Sequence, residues 1–248
     1  MKRGTKLAWL GLVLMLVAAG NPPQEAAAVK TAEAADAGSA SITGTVDVTG
    51  NIPAPVKIKM AADPACAQAH KDAVNVQDIV ANNGKLQNAL VYVKEGVSGT
   101  FPAPAETVKL EQNGCLYSPH VFGMPAGQKL EIINDDATLH NINCQAKTNK
   151  KFNIAQPTKG MKSTKMFEQP EVPVPFKCNV HPWMTAYAGV FSHPFFAVSG
   201  PDGSYTIKGL PAGTYTVEVW HEKLGTQTQK VTVADGESKQ VAFSLAAK

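Results

Sequence analysis

The sequence has few cysteines and little net charge. Four cysteines in 248 residues are too few for a disulfide framework, and a hydrophobic content of 44% is enough for a core without one. The 23 lysines and arginines nearly balance the 20 aspartates and glutamates. A chain so close to neutral has no overall field to attract phosphate backbones or anionic membranes, so we do not expect nucleic-acid binding.

Sequence motifs typical of enzymes are also missing. There is no Gly-x-Ser-x-Gly turn, no phosphate-binding glycine-rich loop, no His-Glu-x-x-His and no Cys-x-x-Cys-His haem attachment sequence. The adjacent acids Asp135 and Asp136 lie in an Asn-Asp-Asp stretch, which is more typical of a turn than of an acid–base pair. We therefore do not expect an enzyme.

The only long apolar run lies near the amino terminus. Residues 7–19 are apolar, and they lie between a short cationic stretch and a group of small residues. This pattern predicts a secretory signal over residues 1–20, with an uncleaved membrane anchor as the alternative. The alanine-rich residues 21–40 predict a linker. We expect a periplasmic or otherwise exported protein that is not integral to the membrane after signal cleavage.

The remainder of the chain favours strands over helices. Short runs of β-type residues alternate with Gly, Pro, Asn and Asp, and the only helix expected lies around residues 64–80. Near the carboxyl end Tyr215, Val217 and Val219 alternate with polar residues, which is typical of a half-buried strand, whereas Trp220 breaks the alternation. The fold class predicted is all-β, with packed sheets.

The last fifty or so residues carry a family pattern. Gly-Ser-Tyr-Thr-Ile at residues 203–207 is followed by Leu-Pro-Ala-Gly-Thr-Tyr at residues 210–215. This tail resembles the carboxypeptidase regulatory-like, transthyretin-like β-sandwich modules of the carbohydrate-binding-like fold. Such modules usually open with a strand of the type found at residues 42–46. We therefore expect residues 41–104 to complete a small sandwich with residues 194–248, with the middle of the chain inserted between them.

The middle of the chain contains a set of potential metal ligands. His140 is followed 38 residues later by Cys178, and His181 and Met184 come soon after it. One thiolate, two imidazoles and a thioether are the ligands of a trigonal copper site with a weak axial methionine. A short loop can direct Cys178, His181 and Met184 toward one point, while a distant loop supplies His140. The sequence therefore predicts one mononuclear copper site, with zinc as the alternative metal.

Residues 105–193 resemble the cupredoxins, the small blue copper proteins. The spacing Cys178-x-x-His181-x-x-Met184 is closest to the short ligand loop of amicyanin. The resemblance implies a Greek-key β-sandwich, the four ligands named above, and Asn141 as a neighbouring group that ties the two ligand loops together. It also implies that His181 is the ligand nearest the surface, beside an apolar docking patch at Pro182 and Trp183.

The resemblance implies an exported type 1 copper protein that carries single electrons between redox partners. The alternative is a cell-envelope module that binds glycan or protein and holds a structural or stored metal. A group of lysines after the first ligand predicts either a solvated face or a docking surface for an acidic redox protein: Lys147, Lys150, Lys151, Lys159, Lys162 and Lys165.

Three cysteines remain outside the ligand set. Cys66 and Cys115 are a candidate disulfide, although sequence alone does not establish connectivity. Cys144 would then be a buried small hydrophobic residue. Alternatively, it could pair with one of the other two cysteines or approach the metal.

Overall fold

The computed structural model describes Met1 and residues 38–247. The predicted signal over residues 1–20 and most of the linker over residues 21–40 lie outside the described residues. Within the part of the chain that is described, we find no helix with the length and apolar character needed to cross a membrane.

The regular secondary structure of the described chain is almost entirely strand, which confirms the all-β prediction. One α-helix, α1 (Pro64–Gln68), follows a 3-10 turn at Met60–Ala62. The strands are β1 (Ala40–Gly50), β2 (Ala81–Asn82), β3 (Lys85–Leu86), β4 (Leu90–Glu95), β5 (Val108–Asn113), β6 (Leu116–Ser118), β7 (Val121–Pro125), β8 (Lys129–Asn134), β9 (His140–Cys144), β10 (Phe152–Gln156), β11 (Lys162–Met166), β12 (Glu171–Lys177), β13 (Thr185–Phe191), β14 (Phe196–Val198), β15 (Ser204–Leu210), β16 (Gly213–His221), β17 (Gly225–Val233), β18 (Ser238–Gln240) and β19 (Phe243–Ala247).

The helix is shorter than the sequence pattern suggested. It ends at Gln68, whereas the expectation placed a helix around residues 64–80. Two tertiary contacts hold this region in place instead. Cys66 is bonded to Cys115, and the His70 Nε2 atom lies 2.7 Å from the Gly114 carbonyl oxygen. The chain after the helix follows these anchors rather than continuing the helix.

Two sheets form what we call the C-terminal sandwich. One has the order β15-β1-β3-β2, with β18 and β19 also paired to β1, and the other has the order β14-β4-β16-β17. Strand β1 runs antiparallel to β15 and parallel to β19. The core between the sheets contains residues from both ends of the chain, among them Ile42, Val217 and Phe243. Residues 40–50 and 90–95 thus lie in the same sheets as strands of the carboxyl end.

Two further sheets form the middle sandwich. Their orders are β10-β9-β12-β13-β7 and β11-β8-β5-β6. Its core includes the fully buried aromatic side chains of Phe167 and Phe176. The first residue of β9 is His140, and the loop from β12 to β13 carries Cys178, His181 and Met184. The sheet therefore brings a residue from one strand beside a loop that is 38 residues further along.

A smaller apolar cluster joins the two sandwiches. It contains Leu90, Tyr92, Val121, Phe191 and Trp220. The Trp220 ring lies 5.4 Å from the ring of Tyr187 in the middle sandwich, between centroids. Trp220 thus contributes to this cluster, whereas the buried residues Val217 and Val219 of the same strand belong to the core of the C-terminal sandwich. This contact accounts for the interrupted alternation at the end of β16.

A buried histidine beside this cluster predicts acid sensitivity. His221 is 2% exposed, and burial lowers its pKa from 6.5 to about 4. In the unfolded chain the His221 imidazole takes up a proton near pH 6.5, whereas in the folded protein it does so only near pH 4. The free energy of unfolding therefore falls as the pH is lowered from 6.5 toward 4, and this group does not change it above pH 6.5. At about 1.4 kcal/mol per pH unit, the full loss is about 3 kcal/mol.

Urea denaturation of the parent and of His221→Asn at neutral and acidic pH checks this prediction. Asparagine keeps an acceptor for the amide of Lys223, which bonds the His221 Nδ1 atom at 3.2 Å. We expect the variant to lose less stability on acidification than the parent. Equal losses in the two proteins would contradict the assignment to His221.

Candidate metal centre

Three of the four predicted ligands, His140, Cys178 and His181, lie together at one end of the middle sandwich. Backbone hydrogen bonds shape the loop that carries two of them: the amide of Cys178 donates to the Met184 carbonyl at 3.1 Å, and the amide of Met184 donates to the His181 carbonyl at 2.9 Å. The loop therefore closes on itself between β12 and β13. Strand β9 pairs with β12 next to this loop and brings His140 alongside.

The donor atoms of His140, Cys178 and His181 converge. The two Nδ1 atoms are 2.9 Å apart, the Cys178 Sγ atom is 3.9 Å from the His181 Nδ1 atom, and all three donors lie within 4.8 Å of one another. Nitrogen and sulfur ligands at about 2.0–2.3 Å from one ion lie about 3–4 Å from each other. The spacing and the chemistry of this donor set therefore fit a single metal ion.

Two other predicted site residues lie in the same region. The Asn141 Oδ1 atom accepts from the amide of Asn179 at 2.6 Å and lies 3.5 Å from the Cys178 Sγ atom. It thus links β9 to the loop after β12. Met184 is fully buried in the same core cluster as Cys178.

A carboxylate contacts the Nε2 atom of each histidine, the ring nitrogen that faces away from the other donors. Neither carboxylate was predicted from the sequence as a site residue. The His140 Nε2 atom is 2.8 Å from the Asp136 Oδ2 atom, and the His181 Nε2 atom is 3.0 Å from the Asp63 Oδ2 atom. When a carboxylate accepts a hydrogen bond from Nε2–H, the lone pair of Nδ1 is left to bind a metal ion. The same hydrogen bond fixes the orientation of the ring. Each ring therefore presents the same nitrogen to the site.

The carboxylates are themselves fixed by backbone amides. Asp63 caps α1 by accepting from the amides of Ala65 and Cys66, and Thr138 donates its hydroxyl to it at 2.8 Å. Asp136 accepts from the amides of Gly114 at 2.7 Å and Cys115 at 2.8 Å. The disulfide between Cys66 and Cys115 joins the two segments that supply these amides. One covalent link thus supports the carboxylates behind both histidines.

The protonation of the donors favours metal binding by Cys178. Burial by itself raises the pKa of this thiol, but hydrogen bonds from His140 and from nearby amides outweigh it and lower the pKa to about 6. Burial lowers the pKa of His140, but hydrogen bonds to Asp136 and Cys178 raise it overall to about 9. At neutral pH the sulfur is therefore a thiolate, which is the form that binds metals.

His181 is covered by residues from a distant part of the chain. Its side chain is only 3% exposed, because Asp63 and the Cys66 Sγ atom, at 3.4 Å, cover the Nε2 edge. The predicted patch beside it is divided: Pro182 is exposed, whereas Trp183 is half-buried against His181 with ring centroids 5.2 Å apart. The segment that bears α1 and the disulfide thus replaces solvent at this ligand.

Cys144 lies apart from these interactions as a free, buried residue of β9. It is 1% exposed and pairs across the sheet with Phe152 and Phe176. Burial raises the pKa of its thiol to about 11, so it stays protonated at neutral pH. Its surroundings are those of a small hydrophobic side chain.

Comparisons with known proteins found one family and several solved structures that are similar to parts of this chain. The family described as carboxypeptidase regulatory-like domain matches residues 190–246. No curated protein matches the chain. The resemblance of the carboxyl end to this family is confirmed. A second similarity is to solved structures of copper proteins.

Three solved structures illustrate the second similarity. A copper-containing nitrite reductase from Thermus scotoductus is 20% identical over 41% of this chain, with a TM-score of 0.33, and the match spans only 25% of the reductase. A purple cupredoxin from Nitrosopumilus maritimus is 23% identical over 34% of this chain and 99% of its own, with a TM-score of 0.30. An oxidised amicyanin variant is 18% identical over 34% of this chain and 82% of its own, with a TM-score of 0.31.

Proposed function

We propose that this chain is an exported mononuclear copper protein that carries single electrons between redox partners. The observation that carries the proposal is the convergence of one donor atom each from His140, Cys178 and His181 within 4.8 Å in a buried site. A soft thiolate with two imidazoles suits copper in both oxidation states, and Met184 would supply a weak additional ligand. Zinc sites rarely use a thioether, so the complete set favours copper.

The residues around the donors suit electron transfer. Bound copper would supply a one-electron couple at this position. Asp63 and Asp136 orient the imidazoles, and the Asn141 side chain accepts a hydrogen bond from the Asn179 amide beside the thiolate. Because these partners are in place already, little rearrangement is needed when one electron arrives or leaves. Burial of His140, Cys178 and His181 keeps water from the donor atoms.

Export and domain organisation belong to the same proposal. A disulfide between Cys66 and Cys115 is typical of an oxidising compartment such as the periplasm. Residues 105–193 would form the copper domain, inserted into a module made of residues 41–104 and 194–248. The pairing of β1 with β15 and β19 supports this division.

An optical spectrum and voltammetry of the copper-loaded full chain test the function. We expect intense visible absorption of Cu(II) and a reversible one-electron wave. A colourless protein would overturn the electron-carrier proposal. A stable metal complex without a redox couple, together with glycan or protein binding, would support the cell-envelope alternative.

Replacement of either carboxylate should weaken copper binding. Asp63→Asn and Asp136→Asn each remove an acceptor that orients an imidazole and raises its basicity, so we expect copper affinity to fall by about 10–100-fold. Competition titration with a chelator measures the loss. Asp135→Asn is the matched control, because Asp135 forms no side-chain hydrogen bond or ion pair within residues 38–247. Unchanged affinity in the Asp63 and Asp136 variants would show that these groups only pack against the rings.

A further inference from the structure

We propose that a lysine-rimmed groove beside Trp183 docks an acidic redox protein, and that the electron passes between His181 and this partner by way of the Trp183 indole. The inference rests on the proposed function and names the partner's chemistry and its place of contact. One electron moves between the site and a one-electron cofactor of the partner, and no bond or proton changes.

The first step is that His181 does not meet the solvent directly. Asp63 and Cys66 cover its Nε2 edge, and the side chain is 3% exposed. A partner therefore reaches the ligand only through a group packed on it. Trp183 is such a group, because its ring lies 5.2 Å from the His181 ring between centroids.

The second step is that Trp183 reaches the surface in a fixed orientation. Its indole N–H donates to the Cys115 carbonyl at 2.9 Å, and its side chain is half-buried. It lines a groove of about 610 Å³ together with Ile58, Val76, Pro182 and Tyr187. The groove thus has apolar walls, and one of its rings, the Trp183 indole, also contacts the predicted metal ligand His181.

The third step concerns charge. Lys57, Lys59 and Lys177 line the groove, are exposed, and take part in none of the ion pairs found among residues 38–247. The two acids of the groove are already engaged: Asp78 pairs with Lys223 at 2.9 Å, and Glu222 pairs with His120. The free charge at the rim is therefore positive and complements an acidic surface.

The lysine group predicted from the sequence is a weaker candidate for the same partner. Lys162 pairs with Glu131 at 3.3 Å, and the Lys165 Nζ atom lies 5.2 Å from the Phe152 ring centroid. Two of its six cations thus already have partners within the fold. The groove combines unpaired cations with an apolar wall and contact to a ligand.

Charge reversal at the groove and, separately, in the lysine group predicted from the sequence distinguishes the two candidate docking sites. Hexacyanoferrate(III) serves as the anionic oxidant of the reduced copper protein, and it is converted to hexacyanoferrate(II) by one electron. For Lys57→Glu/Lys59→Glu/Lys177→Glu we expect the rate at low salt to fall about 10-fold or more, and the difference to shrink at high salt. The matched control, Lys150→Glu/Lys151→Glu/Lys159→Glu, should stay within about 2-fold of the parent, because none of these lysines lines the groove. Equal losses in both variants, or a loss only in the control, would overturn the docking site.

The role of the indole needs a separate variant. Trp183→Leu should slow oxidation by hexacyanoferrate(III) several-fold, and Trp183→Phe should restore much of the rate, while the visible spectrum and the reduction potential stay those of the parent. An unchanged rate in Trp183→Leu, with an unchanged spectrum, would exclude the indole from the path.

A binding measurement separates this inference from the proposed function. A short polyglutamate peptide is titrated into the full chain without copper, and the amide and indole N–H signals are followed by nuclear magnetic resonance. We expect shifts at Trp183 and around Lys57 and Lys59. Shifts confined to residues 147–165 would overturn the inference even if the protein is blue, whereas a colourless protein with shifts at Trp183 would overturn only the electron-carrier function.

Discussion

Replacement of Cys178 by serine is expected to abolish the visible absorption of the copper-loaded protein. The thiolate is the soft, anionic donor of the site, and a serine hydroxyl is neutral and hard. Even residues that only support a ligand change metal affinity by about 10–100-fold, so the loss of this donor should weaken copper binding by more than about 100-fold. Absorption spectroscopy and chelator competition measure the two effects.

Cys144→Ser provides the matched control for this experiment. Cys144 is the other free cysteine of the described chain, and it also is buried in the middle sandwich. We expect Cys144→Ser to keep the colour, with only a loss of stability from placing a hydroxyl among apolar side chains. If Cys144→Ser removed the colour and Cys178→Ser kept it, the ligand assignment would be wrong.

Removal of the disulfide is expected to have the second large effect. Cys66 and Cys115 are separated by 49 residues, and closing a loop of that size restricts the unfolded chain by about 4 kcal/mol in the chain-entropy description. The double variant Cys66→Ser/Cys115→Ser should therefore lose about 2–4 kcal/mol in the free energy of unfolding. Urea denaturation of the copper-free protein gives this value without the contribution of metal binding.

The same variant should also weaken copper binding. The amides of Cys66 and Cys115 donate to Asp63 and Asp136, which orient the two histidines. Asp63→Asn with the disulfide intact separates the loss of one carboxylate from the loss of the cross-link. A double variant that unfolds at the same urea concentration as the parent, with the same copper affinity, would show that the bond supports neither the fold nor the site.

The sequence predicted the strands best where one face of a sheet is buried. In β15 and β19 buried and exposed residues alternate along the strand, and such a period is visible without any tertiary contact. The alternation predicted for residues 215–219 is only partly present, because Glu218 of β16 is buried as well. The helix expected around residues 64–80 ends at Gln68. The disulfide of Cys66 with Cys115 and the contact of His70 with the Gly114 carbonyl hold this region in place of further helix. Those bonds join segments far apart in sequence and leave no local pattern.

The surroundings of the ligands also depended on distant contacts. Asp136 is four residues from His140, yet an Asn-Asp-Asp stretch alone is more typical of a turn. Asp63 lies 118 residues from the histidine that it holds. No spacing rule connects two residues at that distance, so neither this carboxylate nor the cover over His181 could be predicted.

By itself the sequence determined the residue types of the site and the all-β character of the chain, because donor chemistry belongs to individual side chains and the burial period of a strand is local. Only the tertiary structure decided which nitrogen of each imidazole faces the site, how His181 is covered and where Trp183 meets the surface. Apart from the contact between Asp136 and His140, which are four residues apart, these features depend on hydrogen bonds and on a disulfide between distant segments that meet only when the sheets have packed.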